Sequence, residues 1–485
     1  MSRSGDGNFA GGVDGFAYRH RLGELMTSDP VVLPPETPLA EAVALMNARR
    51  ISSVLVGGDR QHPEAIVTER DVLRAVAASG GEALGRPLGA VGSGPLESLP
   101  ATALIFQAIG RMDRLGIRHL VVTGEGGAVV GIITARTLLK VRAGARLAIG
   151  DGLAAAPDAQ TMRRLRDQLP DLAAALLAED LSAREVAGVI SEIMRQTTRR
   201  AAELALSETI RAHGAAPARH AVLVLGSGGR GESLLAPDQD NALIHDGTPA
   251  DDAWFAAFGE RMNALLDAAG VPFCQGGVMA RNKTWRHDVA GWRGQVDAWI
   301  AKQAPEDLLN VDIFFDLAVV EGDETLATAL RGHAVGRAAE AFDFLKLMSL
   351  EVERYQPPLG LLGGLRLSEG RLDLKIAGLF PIVAGARTMA LAHGIGATAT
   401  AERLAALRER DAIGREDAEV LAASQELFMR LIVRQQIADI AAGRAAGNTV
   451  GTEVMAPERG RLKAALRRLR DIGAMVRDGV ASGFR

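Results

Sequence analysis

Two acidic residues and a glycine-rich turn carry the chemistry that this sequence suggests. Asp238 and Asp240 are separated by one residue and lie just before the apolar run 242–244. Side chains two positions apart on an extended segment point the same way, so both carboxylates are expected to face one site. Upstream, residues 226–232 read GSGGRGE, and such a turn lets backbone N–H groups close on a phosphate. The spacing predicts phosphate on one side of the site and a hard cation on the other.

A third carboxylate comes from residues 311–320, which read VDIFFDLAVV and are predicted to form a strand. On that strand Asp312 and Asp316 would share one face. A carboxylate inside an apolar strand is costly unless it is paired or bound to metal. We therefore expect Asp316, with Asp312 as the alternative, to be the third acid, which orients the nucleophile and helps to deprotonate it.

These residue types favour nucleotidyl transfer. Two Mg²⁺ or Mn²⁺ ions about 3.5–4 Å apart would stabilise the attacking and leaving oxygens. Few carboxylates suffice, because Mg²⁺ completes its coordination with substrate phosphates. Asp238 and Asp240 are the predicted metal ligands, with Asp316 beside them. The Ser227 side chain and the backbone N–H groups of Gly228 and Gly229 are predicted to bind the phosphates. The Arg230 side chain is predicted to add positive charge.

The local elements must hold the turn and the acids together. A strand is predicted over 221–225, a short helix over 230–236 that ends at Pro237, and a second strand from about residue 242.

Two other interpretations compete with nucleotidyl transfer. One is a dinucleotide site, because residues 226–231 match G-x-G-x-x-G and Asp246 follows at the spacing of a ribose-binding acid. The loop from Gly231 to Asp238 is too short for the required crossover helix. The other is a non-catalytic nucleotide sensor.

The composition excludes several other classes of protein. The 485 residues include 48% hydrophobic and 24% charged residues, which is typical of globular proteins with about three domains at this length. The net charge of −4 does not suggest nucleic-acid binding. A single cysteine, Cys274, excludes a disulfide framework and indicates a reducing compartment. Neither a signal peptide nor a run of about 18 apolar residues is apparent, so we expect a cytoplasmic protein without a membrane partner.

The region before residue 142 repeats itself. Thr134 lies 66 residues after Thr68, and the same offset relates the other matching positions of the two copies. Each copy is predicted to contain a helix, two strands and a second helix (39–49, 53–56 and 65–67 in the first; 101–115, 119–122 and 129–133 in the second). This order resembles a cystathionine-β-synthase (CBS) domain pair. The resemblance implies an adenine nucleotide contacted by Thr68 and Asp71, which Thr137 would not match in the second copy. The alternative is that Thr68 and Asp71 only cap a helix.

The remaining chain is predicted to be mostly helical. Ser182 and Glu185 form a capping-box signature for a helix over 182–212. Three tryptophans at intervals of seven, Trp285, Trp292 and Trp299, are expected to pack in the core. Later helices are predicted over 401–410, 415–441 and 459–477, where a helical bundle is the simplest interpretation. Asp373, Lys375 and Arg387 are expected to form internal ion pairs rather than to bind a substrate.

The turn and the acids together carry a family resemblance. Residues 226–232 with 237–244, PDQDNALI, resemble the signature of the polymerase-β-like nucleotidyltransferase superfamily. The chain is most similar to the bacterial family of nucleotidyltransferases that carry CBS domains, which is related to the uridylyltransferase of the nitrogen-regulatory protein PII. The resemblance implies that Gly226 and Ser227 form the nucleotide-phosphate loop. It also implies that Asp238 and Asp240 are the metal pair and that Asp316 is the third acid. Pro237 replaces an expected threonine, and Ala318 replaces an arginine that is frequent in the family.

The predicted fold is therefore multidomain, α/β plus all-α, with a CBS pair, a polymerase-β-like domain and a helical bundle. Its predicted activity is the CBS-regulated transfer of a nucleoside monophosphate from UTP or ATP to a hydroxyl of a protein, for example a PII-like regulator, or of a small molecule. Homo-oligomers through the CBS pairs are expected. The predicted segments are a leader (1–20), the CBS pair (21–142, copies about 21–80 and 87–142), a linker (143–160), a helical connector (161–213), the nucleotidyltransferase domain (214–330) and a helical substrate-binding domain (331–485).

Overall fold

The chain divides into two units, Met1–Leu147 and Ala148–Arg485. A computed structural model describes residues 21–59, 61–135, 137, 149–302, 311–360 and 363–484. The predicted leader and the first part of the predicted linker lie outside these residues.

The first unit contains two copies of one supersecondary motif. The strands β2, β3 and β4 form one sheet, and β1, β7, β6 and β5 form the other in that order. In each sheet a parallel pair, β2 with β3 or β5 with β6, is followed by an antiparallel partner. The elements of this unit are α1 (Leu22–Leu25), β1 (Thr27–Ser28), β2 (Val32–Leu33), α2 (Leu39–Arg49), β3 (Ser53–Val56), β4 (Ala65–Thr68), α3 (Glu69–Ser79), β5 (Ser98–Pro100), α4 (Ile105–Leu115), β6 (His119–Thr123) and β7 (Val129–Thr134).

The offset of 66 residues seen in the sequence also relates the two copies in the structure. Helices α2 and α4 begin at Leu39 and Ile105, and β2 and β5 begin at Val32 and Ser98. Each copy buries its own apolar cluster, with Leu39 and Val67 in the first and Ile105 and Ile133 in the second. The predicted repeat and its element order are confirmed through the last strand of each copy and for the second helix of the first copy; the second helix of the second copy lies outside the described residues.

In the second unit, helices precede a mixed sheet. The sheet order is β10-β9-β8-β11, with β9 parallel to β10 and β8 antiparallel to both β9 and β11. The long helix α7 packs along α9 beside this sheet, and the predicted capping box at Ser182 is present at its N-terminus. The elements are α5 (Ala159–Arg166), α6 (Leu169–Ala178), α7 (Ala183–His213), β8 (His220–Val224), α8 (Gly226–Arg230), β9 (Asn241–His245), α9 (Asp252–Ala268), β10 (Arg286–Asp288), α10 (Val289–Lys302) and β11 (Ala318–Gly322).

Helices dominate the rest of the second unit, as predicted. Two short strands, β12 and β13, pair antiparallel across them, and a π-helical turn, Lys375–Leu379, precedes α13. The predicted helix over 459–477 is broken by a 3₁₀ turn, Leu469–Asp471. The elements are α11 (Glu324–Ala339), α12 (Phe342–Glu353), β12 (Arg371–Asp373), α13 (Phe380–Ala392), α14 (Thr400–Glu409), α15 (Arg415–Ala441), β13 (Thr449–Gly451), α16 (Thr452–Met455), α17 (Arg459–Arg468) and α18 (Ile472–Ser482).

One helical stretch, Lys375–Ala392, is long and apolar enough to cross a membrane, and 72% of it is buried inside the protein. The core helix of a globular unit has the same properties. The predicted aromatic core is confirmed, because Trp292 and Trp299 are buried and the Trp292 ring stacks on Phe314 with centroids 5.2 Å apart.

Two local predictions are wrong. Residues 311–314 are helical, and β11 begins only at Ala318. The spacing of Asp312 and Asp316 suits one face of a strand, but it is also that of neighbours on one helical face. Both carboxylates contact the same arginine, Arg387. The predicted helix over 230–236 is also wrong: the helix is α8, and Gly231 ends it with a left-handed φ of 74°.

Candidate active site

The glycine-rich turn, residues 226–232, follows β8 and includes the short helix α8. Gly226 has a left-handed φ of 55°, and a Cβ atom there would lie 3.0 Å from Oδ2 of Asp240. The backbone N–H of Leu225 donates to the carbonyl of Asp240 over 2.9 Å. Gly229 is packed even more tightly, because a Cβ atom there would lie only 1.6 Å from the carbonyl oxygen of Asp316. The turn therefore requires glycine, and it lies directly against Asp240.

Asp238 and Asp240 lie in the extended segment that precedes β9. Together with the Cys274 thiol, each offers a ligand atom, and these atoms lie within 4.8 Å of one another. Asp238 is exposed, whereas Asp240 is partly buried. Burial, and then the negative charge of Asp238, raises the pKa of Asp240 to about 7. The structure thus brings the two carboxylates together, as the spacing predicted, and their repulsion is what a bound cation would relieve.

Buried amides fix the orientation of this acidic pair. Gln239, between the two aspartates, is 2% exposed and donates to the carbonyls of Asn263 and Val271 over 3.0 and 2.8 Å. The Asn263 amide donates to the side chains of both Gln239 and Asn241. Because Gln239 points into the core, its neighbours on either side point outward together. The pair is therefore held by the core rather than by a flexible loop.

Asp316 is not part of the cluster formed by Asp238, Asp240 and Cys274. It is fully buried and forms ion pairs with Arg230 at 2.5 Å, with Arg403 at 2.7 Å and with Arg387. Burial alone would raise the pKa of Asp316, but the three guanidinium groups outweigh it and hold that pKa far below its usual range. The predicted third metal ligand therefore has a different set of partners. Asp312, the alternative, is bound by Arg387.

Arg230 also has partners other than those predicted. Its guanidinium donates to Glu232 over 2.7 Å and to Asp316 over 2.5 Å. Glu232 in turn accepts from the backbone N–H of Thr400, at the start of α14, over 2.8 Å. The positive charge that the sequence assigned to a phosphate is thus neutralised within the protein, where it joins the turn to the C-terminal helices.

The predicted phosphate ligands are therefore only partly available. The backbone N–H of Gly229 donates to the carbonyl of Leu225 over 3.1 Å, so this donor is already used. The Ser227 hydroxyl lies 3.5 Å from that of Ser233 and lines a cavity with Gly228, Asp238 and Asp240. Ser227 and Gly228 thus share a cavity with the acidic pair.

Cys274 is the residue of this cluster that sequence reasoning missed. Burial, together with the negative charge of Asp240, raises the pKa of its thiol to about 11. The thiol therefore stays protonated near neutral pH. Its position, between α9 and β10, gave no sequence signal beyond its being the single cysteine of the chain.

The donor set fits a hard divalent cation. Two carboxylates on adjacent outward positions, completed by substrate phosphate oxygens and water, are the ligands that Mg²⁺ prefers. A protonated thiol is a poor ligand, since metals bind the thiolate. Asp238 and Asp240 would hold such an ion, and Cys274 would donate a hydrogen bond to Asp240 rather than coordinate the ion.

In the first unit, Thr68 and Asp71 form the helix-capping arrangement that was the alternative to nucleotide binding. The Asp71 carboxylate accepts from the backbone N–H and the hydroxyl of Thr68 over 2.9 and 2.7 Å. It also accepts from Ser93 over 2.9 Å and from Arg74 over 3.2 Å. At the equivalent turn, the backbone N–H of Thr137 donates to the hydroxyl of Thr134 over 3.0 Å. Four donors thus surround a carboxylate that is 4% exposed.

The family models match most of the chain. Residues 22–78 and 88–144 match the CBS domain, residues 167–306 match "Putative nucleotidyltransferase DUF294", and residues 342–479 match "Putative nucleotidyltransferase substrate binding domain". The chain thus combines a CBS pair with a region that matches the putative nucleotidyltransferase model and a helical region that matches its substrate-binding domain. The chain belongs to the CBS-domain-containing family of DUF294 nucleotidyltransferases.

Relatives of known sequence or structure match a quarter of the chain. The uncharacterized protein MK0525 of Methanopyrus kandleri is 27% identical over 123 residues, which are 25% of this chain and 61% of that protein. The chain therefore spans less than two thirds of this curated relative. The CBS-domain protein ATU1752 of Agrobacterium tumefaciens is 26% identical, over 25% of this chain and 92% of its own, with a TM-score of 0.24. The CBS domain protein PAE2072 of Pyrobaculum aerophilum, solved with AMP, is 30% identical, over 24% and 90%, with a TM-score of 0.23.

Proposed function

We propose that this nucleotidyltransferase moves a nucleoside monophosphate from UTP or ATP to a hydroxyl group of a protein or small molecule, as the uridylyltransferase of protein PII does. Asp238 and Asp240 bind the divalent metal, Mg²⁺ or Mn²⁺, and the glycine-rich turn binds the phosphates. The single observation that supports this most is the convergence of the turn and the two carboxylates, with Gly226 directly against Asp240.

The charges at the site support metal-dependent chemistry. Asp240 is partly buried next to Asp238, and a buried carboxylate beside a second one is unfavourable without a counter-charge. When bound there, a divalent cation would neutralise the charge that develops on the phosphate oxygens. Asp316 is held by arginines. A second ion would therefore take its ligands from Asp238, Asp240 and the substrate phosphates.

The reaction exchanges one phosphorus–oxygen bond for another. The acceptor oxygen attacks the α-phosphorus, the bond between the α-phosphorus and its bridging oxygen breaks, and pyrophosphate leaves with that oxygen while the hydroxyl proton is released to solvent. Asp238 and Asp240 face the α-phosphate, and Ser227 and the N–H of Gly228 hold the departing phosphates. Asp316, which has three guanidinium partners, maintains the turn instead of taking the proton.

The flanking regions fit acceptor binding and regulation. The helical region that matches a substrate-binding domain is joined to the turn through the contact between Glu232 and Thr400. The CBS pair would sense an adenine nucleotide and change the activity. It would also join two copies of the chain.

The test is label transfer from each of the four α-³²P-labelled nucleoside triphosphates, with the full-length protein, Mg²⁺ and a cell lysate as the source of acceptor. We expect covalent label on one acceptor from a single nucleotide, loss of the label with EDTA, and release of pyrophosphate. The control uses the same nucleotides labelled on the γ-phosphate, which must not label the acceptor. If α-label is never transferred while an adenine nucleotide raises the melting temperature, the protein is a sensor and the proposal is wrong.

A further inference from the structure

The positive charge of Arg230 is not free for a phosphate, because Glu232 and Asp316 bind its guanidinium group. The structure offers a different arginine at the same turn. Arg195, in the middle of α7, donates from Nε to the carbonyl of Gly228 over 2.9 Å and from Nη2 to the carbonyl of Gly229 over 2.9 Å. These two contacts connect residues more than 30 positions apart in the chain.

Arg195 differs from the other arginines near the site in having no carboxylate as a direct partner. Arg230, Arg387 and Arg403 each form ion pairs with Asp316, whereas no salt bridge of the described residues includes Arg195. Its side chain lines the same cavity as Ser227, Asp238 and Asp240. Burial lowers the pKa of its guanidinium, an effect that Glu192 partly offsets. Arginine nevertheless remains protonated in proteins, so a cation stays in contact with the turn.

Helix α7 contacts the glycine-rich turn, the residue Ser233 that follows it and the strand β11 through residues spaced one helical turn apart. One turn before Arg195, the hydroxyl of Ser191 accepts from the backbone N–H of Ser233 over 2.7 Å. One turn after it, Arg199 donates to the carbonyl of Val320, in β11, over 2.6 Å. These residues are four positions apart and lie on one face of α7. The position of the turn therefore depends on one rigid helix.

We propose that Arg195 is a positioning residue that holds the glycine-rich turn in the conformation that binds the nucleotide's β- and γ-phosphates. The carbonyls of Gly228 and Gly229 accept from Arg195 and therefore point toward α7. Because N–H and C=O groups point in opposite directions along a helix, the N–H groups at the start of the turn are then directed away from α7. This inference rests on the proposed function, because it assumes that the turn binds phosphate. It assigns to α7, outside the glycine and aspartate motifs, a direct part in nucleotide affinity.

The test compares the binding of a nucleoside triphosphate with that of the matching monophosphate, each with Mg²⁺, by calorimetry on the full-length protein. The monophosphate lacks the phosphates that the turn would hold. Arg195→Met should lower triphosphate affinity about tenfold relative to monophosphate affinity, as expected for the loss of hydrogen bonds from a charged donor. Arg195→Lys, which keeps one charged donor, should restore part of the difference. It also carries the test if Arg195→Met fails to fold.

The matched control is Arg200→Met on the same helix. Arg200 also donates from Nε to a carbonyl, that of Ala156, over 2.8 Å, but it does not touch the turn. It should leave the ratio of the two affinities unchanged. An unchanged ratio in Arg195→Met, with the wild type preferring the triphosphate, overturns the role of Arg195 but leaves the proposed function intact. A wild type without this preference overturns both.

Discussion

Replacing Asp316 by asparagine separates two accounts of this residue, as an ion-pair centre and as a metal ligand. The substitution removes the charge that faces three buried guanidinium groups but keeps the shape of the side chain. Arg230 and Arg387 retain Glu232 and Asp312 as further partners. Arg403, which is 2% exposed, has Asp316 as its ion-pair partner among the described residues.

The loss of stability follows from this geometry. Removing one partner of a buried ion pair leaves an uncompensated charge and costs about 3–5 kcal/mol. We therefore expect Asp316→Asn to lower the free energy of unfolding of the second unit by about that amount. The ring of Trp292 stacks on Phe314, two residues before Asp316, and so provides a fluorescence signal for the transition. Glu419→Gln, which breaks the exposed pair with Arg415, is the control and should leave the stability nearly unchanged, because solvent screens exposed ion pairs.

The assay is urea denaturation followed by tryptophan fluorescence, in EDTA and in Mg²⁺. As an ion-pair centre, Asp316 should show the same loss in both buffers. A metal ligand would behave differently, because its replacement would relieve carboxylate repulsion in EDTA and remove the stabilisation by Mg²⁺. If Asp316→Asn is as stable as the wild type in EDTA and insensitive to Mg²⁺, the ion-pair account is refuted and the metal-ligand role is restored.

Three further substitutions, one of them with a matched control, test other parts of the protein. Gly229→Ala should destabilise the second unit and abolish transfer, because its Cβ would lie 1.6 Å from the carbonyl of Asp316; a stable, active variant in denaturation and transfer assays would contradict this. Asp71→Ala should lower the stability of the first unit by about 0.5–2 kcal/mol through loss of the cap, measured by thermal melting. The matched change Thr137→Ala should cost less, and equal losses would argue against the capping box. Cys274→Ser should retain Mg²⁺-dependent transfer because a hydroxyl can also donate to the neighbouring carboxylate; a Mg²⁺ requirement lost with the thiol would show that sulfur binds the metal.

Local spacing was enough to predict the parts of the fold that depend on neighbours in sequence. The repeat offset placed both CBS copies, and the single residue between Asp238 and Asp240 predicted that their carboxylates would converge. Helix α15 begins and ends where the pattern predicted, at Arg415 and Ala441. In each case the signal and the structure involve the same short segment or a repeat of it.

Contacts between distant segments could not be predicted in this way. The alternation in residues 311–317 suited a strand, but residues 311–314 are helical. Asp316, just after them, forms ion pairs with arginines from α8, α13 and α14 rather than joining Asp238 and Asp240. Arg195 lies more than 30 residues before the turn that it holds. Neither contact has a signal within its own segment, because each depends on how the helices pack on the sheet.

The proposed function requires that Asp238 and Asp240 carry out metal-dependent nucleotidyl transfer. The most direct measurement is transfer of α-³²P label by wild type and by the double variant Asp238→Asn with Asp240→Asn, after circular dichroism and thermal melting show that both are folded. We predict label transfer and pyrophosphate release with Mg²⁺ by the wild type, and neither by the double variant. Undiminished transfer by a folded double variant would contradict the account.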